Sequence, residues 1–312
     1  MIHRLIPSQP NHANPTPKTG LAIGAAVTLG AALGAGMNPA VAIGKYAAGE
    51  GKSAAGLLPR CLVPILGGLA AALVFRSTDI DEAAAPSGRL PGLSADAVRR
   101  FGAFANEAVG TFFLTSSVAI ALGTGNLPAP VAAGLALTAL AFGGGFVSGA
   151  HLNPGVSLGV HLLNKARFPL QRVLGYSAAQ TLGALAAALG VKRFLGAGAM
   201  AGKVPLPGAG YAWQHVFAAE ATFTALLVSS VLHNAGSNQL APLAIAAALT
   251  GGLFGASKIS GGGLNPAAAT ALFLSNGKEQ VVKDYLWVYV LAPLVGAALG
   301  TMSVQLTAEG GK

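Results

Sequence analysis

Ser148-Gly149-Ala150-His151-Leu152-Asn153-Pro154 and Ser260-Gly261-Gly262-Gly263-Leu264-Asn265-Pro266 are two versions of one stretch. Each is a glycine-rich turn followed by Asn-Pro and about ten mildly apolar residues. Asparagine is a preferred N-cap, because its side-chain oxygen accepts a backbone N–H of the first helical turn. Proline suits the first helical position, where its missing N–H would be unpaired anyway. Each Asn-Pro therefore starts a helix. Ten residues rise only about 15 Å, half of a hydrocarbon core roughly 30 Å thick. Irregular backbone at that depth persists only where it is buried in protein or lines a water-filled cavity.

Outward from these two stretches, the pattern widens into a repeat. Glu107 lies 46 residues before Asn153, and Glu220 lies 45 before Asn265. Each glutamate opens a similar run, Glu-Ala-Val-Gly-Thr-Phe-Phe-Leu at 107–114 and Glu-Ala-Thr-Phe-Thr-Ala-Leu-Leu at 220–227. One unit holds three spans, with a half-helix after the second. Three is odd, so the second copy enters the membrane inverted, the architecture of many transporters and channels.

Composition agrees. Charged residues make up 9% of the 312, against roughly 25% in a soluble domain. Hydrophobic residues make up 53%, and mean hydropathy is +0.61. Too few charges remain to cover a soluble surface, which excludes a cytosolic enzyme, a disordered tail and a secreted disulfide scaffold. The 44 glycines suit helices that pack through small residues. The net charge of +9 comes from scattered Lys and Arg with no basic face, so a nucleic-acid partner is not expected. Membrane lipid is. Cys61 is the single cysteine, so no intrachain disulfide forms and no metal or other cofactor is expected.

Apolar runs predict spans over 20–36, 57–75, 103–123, 129–147, 169–190, 213–232, 240–256 and 285–306. The expected organisation is a polar tail (1–19), an N-terminal unit (20–75), a linker (76–100), a main unit (101–306) and a C-terminal tail (307–312). The tail at 1–19 is basic and free of acid, which fits either organelle targeting or a short solvated segment.

Residues 101–306 resemble the aquaporin, or major intrinsic protein, family. The resemblance rests on Glu107 with Gly110-Thr111-Phe112, Ser148 through Gly159, Tyr176 with Ala179-Gln180 and Gly183-Ala184, Glu220, Ala241 through Ile245, Ser260 through Ala267, and Trp287-Val288-Tyr289 with Pro293-Leu294 and Gly296. It implies an all-α membrane protein: an inverted repeat of six transmembrane helices plus two half-helices that meet at mid-membrane. It also implies a homotetramer with one pore per subunit.

Within that resemblance the motifs Asn153-Pro154-Gly155 and Asn265-Pro266-Ala267 flank the pore. Both asparagines cap helices, and their amides are expected to face the lumen. The positive ends of two half-helices meet there and oppose protons and cations. Glu107 and Glu220 are intramembrane carboxylates. They are expected to accept hydrogen bonds from the irregular loops, with proton transfer as the other reading. His151 and Gln180 are expected to brace the same loops, with a pH switch as the other reading of His151. The selectivity region falls on Ala133, Leu253, Gly262 and Ala268. Family members usually hold an arginine where Ala268 stands. Its absence predicts a wide, apolar constriction and a permeant set of water and small neutral solutes, such as ammonia, hydrogen peroxide or urea. The alternative is a non-conducting structural subunit of a larger membrane assembly. No constellation of an enzyme is visible.

The N-terminal unit reads as a partial third copy. Met37-Asn38-Pro39-Ala40-Val41-Ala42-Ile43-Gly44 resembles Leu152 through Gly159. Two extra spans and a third Asn-Pro-Ala half-helix are thus expected before the core, with Asn38, Pro39 and Ala40 as a cap that has no pore role. Residues 20–75 are expected to pack on the core or to dock to other membrane subunits. Basic residues flanking the core number five on one side and six on the other, so orientation and the choice between plasma and organellar membrane stay open.

Overall fold

A computed structural model describes residues 24–30, 37–48, 61–62, 64, 66–67, 95–235 and 239–309. The helices are α1 (Pro39–Ala47), α2 (Ala95–Thr124), α3 (Ala129–Ser148), α4 (Pro154–Leu163), α5 (Leu170–Leu195), α6 (Trp213–Asn234), α7 (Ala241–Ser260), α8 (Pro266–Asn276) and α9 (Glu279–Glu309). A single helical turn, Ala197–Met200, follows α5. Six of these hold segments long and apolar enough to cross a membrane: Phe101–Thr124, Ala129–Ser148, Leu170–Leu195, Trp213–Asn234, Ala241–Ser260 and Glu279–Ala308.

The helices that lead into the two Asn-Pro turns end alike. Gly149 (φ 91°) caps α3 and Gly261 (φ 78°) caps α7, both in the left-handed conformation. Glycine adopts it without the Cβ penalty, and each cap N–H closes the last turn, onto Gly145 and Ser257. The chain then reverses into α4 and α8. These are half-length helices of 10 and 11 residues, each with proline in its first turn.

The two repeats, α2–α5 and α6–α9, pack by equivalent contacts. α2 lies on α5 and α6 lies on α9. A Cβ added at Gly183 would sit 2.0 Å from the Ala108 carbonyl oxygen, and one at Gly296 would sit 2.3 Å from that of Ala221. Backbones approach this closely only where the side chain is a hydrogen atom. The half-helices also cross between repeats: α4 packs on α9, and α8 packs on α5. Each repeat therefore supplies part of the wall that holds the other's half-helix.

Most helix ends lie close to the sequence expectation, and three differ from it by five residues or more. α9 starts at Glu279, not 285, because polar residues extend the helix beyond its apolar part. Glu279 and Lys283 pair at 2.7 Å one turn apart, and Gln280 donates to Asp284. α5 continues to Leu195, with Lys192 and Arg193 in its last turn, where cations oppose the negative end of the helix. α2 begins at Ala95, inside the stretch read as a linker. The extra spans at 20–36 and 57–75 fall largely outside the described residues; 24–30, 61–62, 64 and 66–67 are helical.

Candidate functional site

The loops before α4 and α8 are strained. Ala150 (φ 46°), Leu152 (φ 51°) and Leu264 (φ 48°) take the left-handed conformation without being glycine. That costs roughly 1–2 kcal/mol per residue, so other bonds must hold them. Glu107, wholly buried, accepts from the Ser148 hydroxyl (2.6 Å), the His151 N–H (2.9 Å), the Leu152 N–H (2.7 Å) and the Gln180 amide (2.7 Å). Glu220, equally buried, accepts from the Ser260 hydroxyl (2.6 Å), the Gly263 N–H (2.8 Å) and the Leu264 N–H (2.5 Å). A carboxylate has two oxygens and no donor, so it can take all these bonds together. Two tyrosines clamp the loops from behind. The Tyr176 hydroxyl donates to the Ser148 carbonyl at 3.0 Å, and the Tyr289 hydroxyl donates to that of Ser260.

The asparagines do two things each. The Asn153 side-chain oxygen accepts from the Gly155 N–H at 2.8 Å, and that of Asn265 accepts from the N–H groups of Ala267 (3.1 Å) and Ala268 (3.4 Å). These are N-caps. The Asn153 amide nitrogen donates to the Leu264 carbonyl at 2.8 Å, and the Asn265 amide nitrogen donates to the Leu152 carbonyl at 2.8 Å. An amide carries two hydrogens. The reciprocal bonds use one on each residue and leave one on each.

Both asparagines line a cavity of about 360 Å³. So do Ala133, Leu253, Gly262 and Ala268, the four residues assigned to the selectivity region. α3 and its N-cap contribute from Pro128 to Ala141, and α6 and its C-cap contribute Leu227, Val231 and Ala235. Leu114, Leu137 and Leu249 supply much of the wall. No Asp, Glu, Lys or Arg lines it among the described residues.

His151 also lines the cavity, and its ring Nδ1 pairs with the Ser157 hydroxyl at 3.1 Å. Its ring packs against Phe168 and Tyr176, with centroids 5.0 and 5.2 Å away. Gln180 donates to both Glu107 and Ser157. The second repeat lacks these braces: Gly263 stands for His151, Ala269 for Ser157 and Pro293 for Gln180. Sequence reading missed Ser157, a lone hydroxyl on an apolar half-helix that joins His151 to Gln180. It also missed Asn106, whose amide donates to Ser148 (2.7 Å) and the Gly144 carbonyl (3.1 Å). The only sequence signal for either was a polar residue inside an apolar span.

Asn38 is placed elsewhere. Its side-chain oxygen accepts from the Ala40 N–H at 2.9 Å, the same cap as at Asn153. Yet Asn38 is exposed, and neither it, Pro39 nor Ala40 lines the cavity. The Cys61 thiol reaches the Pro39 carbonyl at 3.8 Å.

Residues 103–303 match the family model described as "Major intrinsic protein". The chain is 33% identical over 210 residues to "Glycerol uptake facilitator protein-like 6" of Lactiplantibacillus plantarum, covering 64% of this chain and 95% of that protein. It is 32% identical over 229 residues to "Aquaporin Z" of Bradyrhizobium diazoefficiens, covering 66% and 93%. The fold is similar to the X-ray structure of the aquaglyceroporin from Plasmodium falciparum, with TM-score 0.53 and 24% identity over 66% of this chain and 94% of that one. The chain is a multi-pass integral membrane protein and belongs to the major intrinsic protein family, whose members are channels and not enzymes.

Proposed function

We propose that this chain is a passive channel for water and small neutral solutes, with a wide, arginine-free constriction. The observation that carries the reading is a single cavity lined both by the Asn153–Asn265 pair and by Ala133, Leu253, Gly262 and Ala268. At the pair, each asparagine offers its remaining amide hydrogen to a permeant oxygen. A water there accepts from both sides and cannot pass a proton along a donor–acceptor chain. At the constriction, apolar and glycine positions replace a fixed cation, so neither a positive barrier nor a guanidinium donor selects water over other neutral molecules. Relatives named as a glycerol uptake facilitator protein and as an aquaporin support the reading of a passive channel.

The alternative of a non-conducting subunit would be favoured by side chains closing the lumen at Leu253 or beside Asn153. Both residues border one cavity of about 360 Å³, room for several waters, which supports conduction. The test is Ala268→Arg in proteoliposomes, read by stopped-flow light scattering with urea and with water. Urea flux should fall relative to water flux in the variant. An unchanged ratio would place the selective constriction elsewhere.

A further inference from the structure

α5 turns an apolar face to the outside of the bundle. Leu174, Leu182 and Leu189 are 63%, 67% and 56% exposed, and their spacing puts them on one side of the helix. The other side packs on α2, α4 and α8. Leu170, also exposed, begins this face at the end of α5 that follows α4. Beside it stand two exposed cations, Lys165 and Arg172. Lys165 sits in a turn closed by Asn164, which accepts from the Arg167 N–H at 3.1 Å and the Phe168 N–H at 3.0 Å. The Arg172 guanidinium lies 5.9 Å from the Phe168 ring centroid, a cation–π contact that holds it against the same turn.

Depth and charge define the partner. α4 and α8 start at the Asn153–Asn265 junction and each spans about half a membrane, so the junction lies near the bilayer midplane. α4 rises about 15 Å from it and ends at the edge of a hydrocarbon core roughly 30 Å thick. Lys165 follows the end of α4, and Arg172 lies in the first turn of α5. Both therefore stand at the level of the lipid phosphates, with the leucines just beneath them in the hydrocarbon. No carboxylate pairs with either cation among the described residues. Glu107 and Glu220 are buried and held by the loops before α4 and α8. Glu279 and Asp284 follow α8, which the inverted repeat directs to the opposite surface. Arg167, between Lys165 and Arg172 in the chain, adds to the positive potential.

We propose that Lys165 and Arg172 form a binding site for the phosphate headgroup of an anionic membrane lipid, whose acyl chain lies along Leu170 and Leu174. Cations at this depth attract anionic lipid, and the exposed leucines bind its chain. A free phosphate ion would meet the cations but gain nothing from the leucines, so the site takes the lipid. The assignment rests on α5 being a membrane span and does not depend on which solutes permeate.

The test uses the full chain with Trp213→Phe and Trp287→Phe, which remove the native tryptophans, and Leu174→Trp as a reporter beside the site. Leu170→Trp serves as the reporter if Leu174→Trp does not fold. The protein is reconstituted in equal parts of phosphatidylglycerol and phosphatidylcholine, with bromine on the chains of one lipid or of the other. Quenching should report a preference of about threefold or more for the anionic lipid. Lys165→Gln with Arg172→Gln should bring the two lipids to equal quenching, whereas Lys165→Arg with Arg172→Lys should keep the preference. Glycerol phosphate, added at the concentration of the lipid, should leave the preference unchanged. Its collapse would overturn the proposal by assigning the cations to a free phosphate. Equal quenching in the reporter protein would overturn it as well, and so would a preference that survives the loss of both cations. Absence of quenching by either lipid would overturn it too, by showing that protein covers this face, whether residues 1–94 of the same chain or a second copy.

Discussion

Asn153 and Asn265 each donate to the carbonyl of the residue that precedes the other, at 2.8 Å in both directions. The two half-helices are thereby locked together by side chains that also cap them. Replacing Asn265 with Ala removes the cap, worth about 1 kcal/mol. It also leaves the buried Leu152 carbonyl without its partner, at a further 1–3 kcal/mol, roughly. The Asn265→Ala protein should unfold at a lower temperature in detergent. In liposomes it should leak protons more, relative to water, than the parent. An unchanged melting temperature would mean the junction is held by something other than this pair.

The two buried carboxylates are unequal. Glu107 takes four hydrogen bonds and Glu220 takes three. Glutamine at either site turns one acceptor oxygen into a donor that faces other donors. Bonds to a charged acceptor are worth about 1.5–3 kcal/mol each. Both Glu→Gln variants should lower the folded fraction, and Glu107→Gln should lower it more. Size-exclusion recovery after a heat step reads this ranking, and a reversed order would contradict it.

Glycine content alone says little about which glycines matter, but two in α5 separate cleanly. At Gly183 a Cβ would sit 2.0 Å from the Ala108 carbonyl, with backbone on the far side that cannot yield. Gly183→Ala should cost about 1–3 kcal/mol through overpacking. At Gly190 no atom lies within 4 Å, and the residue is exposed on the same helix. Gly190→Ala should stabilise by up to about 1 kcal/mol through helix propensity. Thermal unfolding of the two variants side by side checks both signs.

Much of this architecture was legible before any coordinates. The Asn-Pro pairs announced half-helices because a cap and a first-turn proline are local chemistry. The spacing of Glu107 and Glu220 from them announced the repeat. The helix ends were less legible, since hydropathy marks the apolar part of α9 and not the polar turn from Glu279 that Lys283 pairs into. Least legible were contacts that cross the repeats. The bond from Asn153 to Leu264 joins residues 111 apart, and the bridge from His151 through Ser157 to Gln180 depends on how α4 seats against α5. For the N-terminal unit, the cap at Asn38 is local chemistry, while its exposure and its absence from the cavity lining are tertiary facts.

The proposed function requires that the cavity between α2, α3, α6 and α7 conducts. Stopped-flow light scattering on proteoliposomes tests it most directly, with an osmotic step of impermeant solute to read water, followed by isosmotic steps of urea and hydrogen peroxide. Water and neutral-solute permeabilities should exceed those of protein-free liposomes, with no accompanying proton flux. Permeability equal to that of protein-free liposomes for water and for both solutes would contradict it.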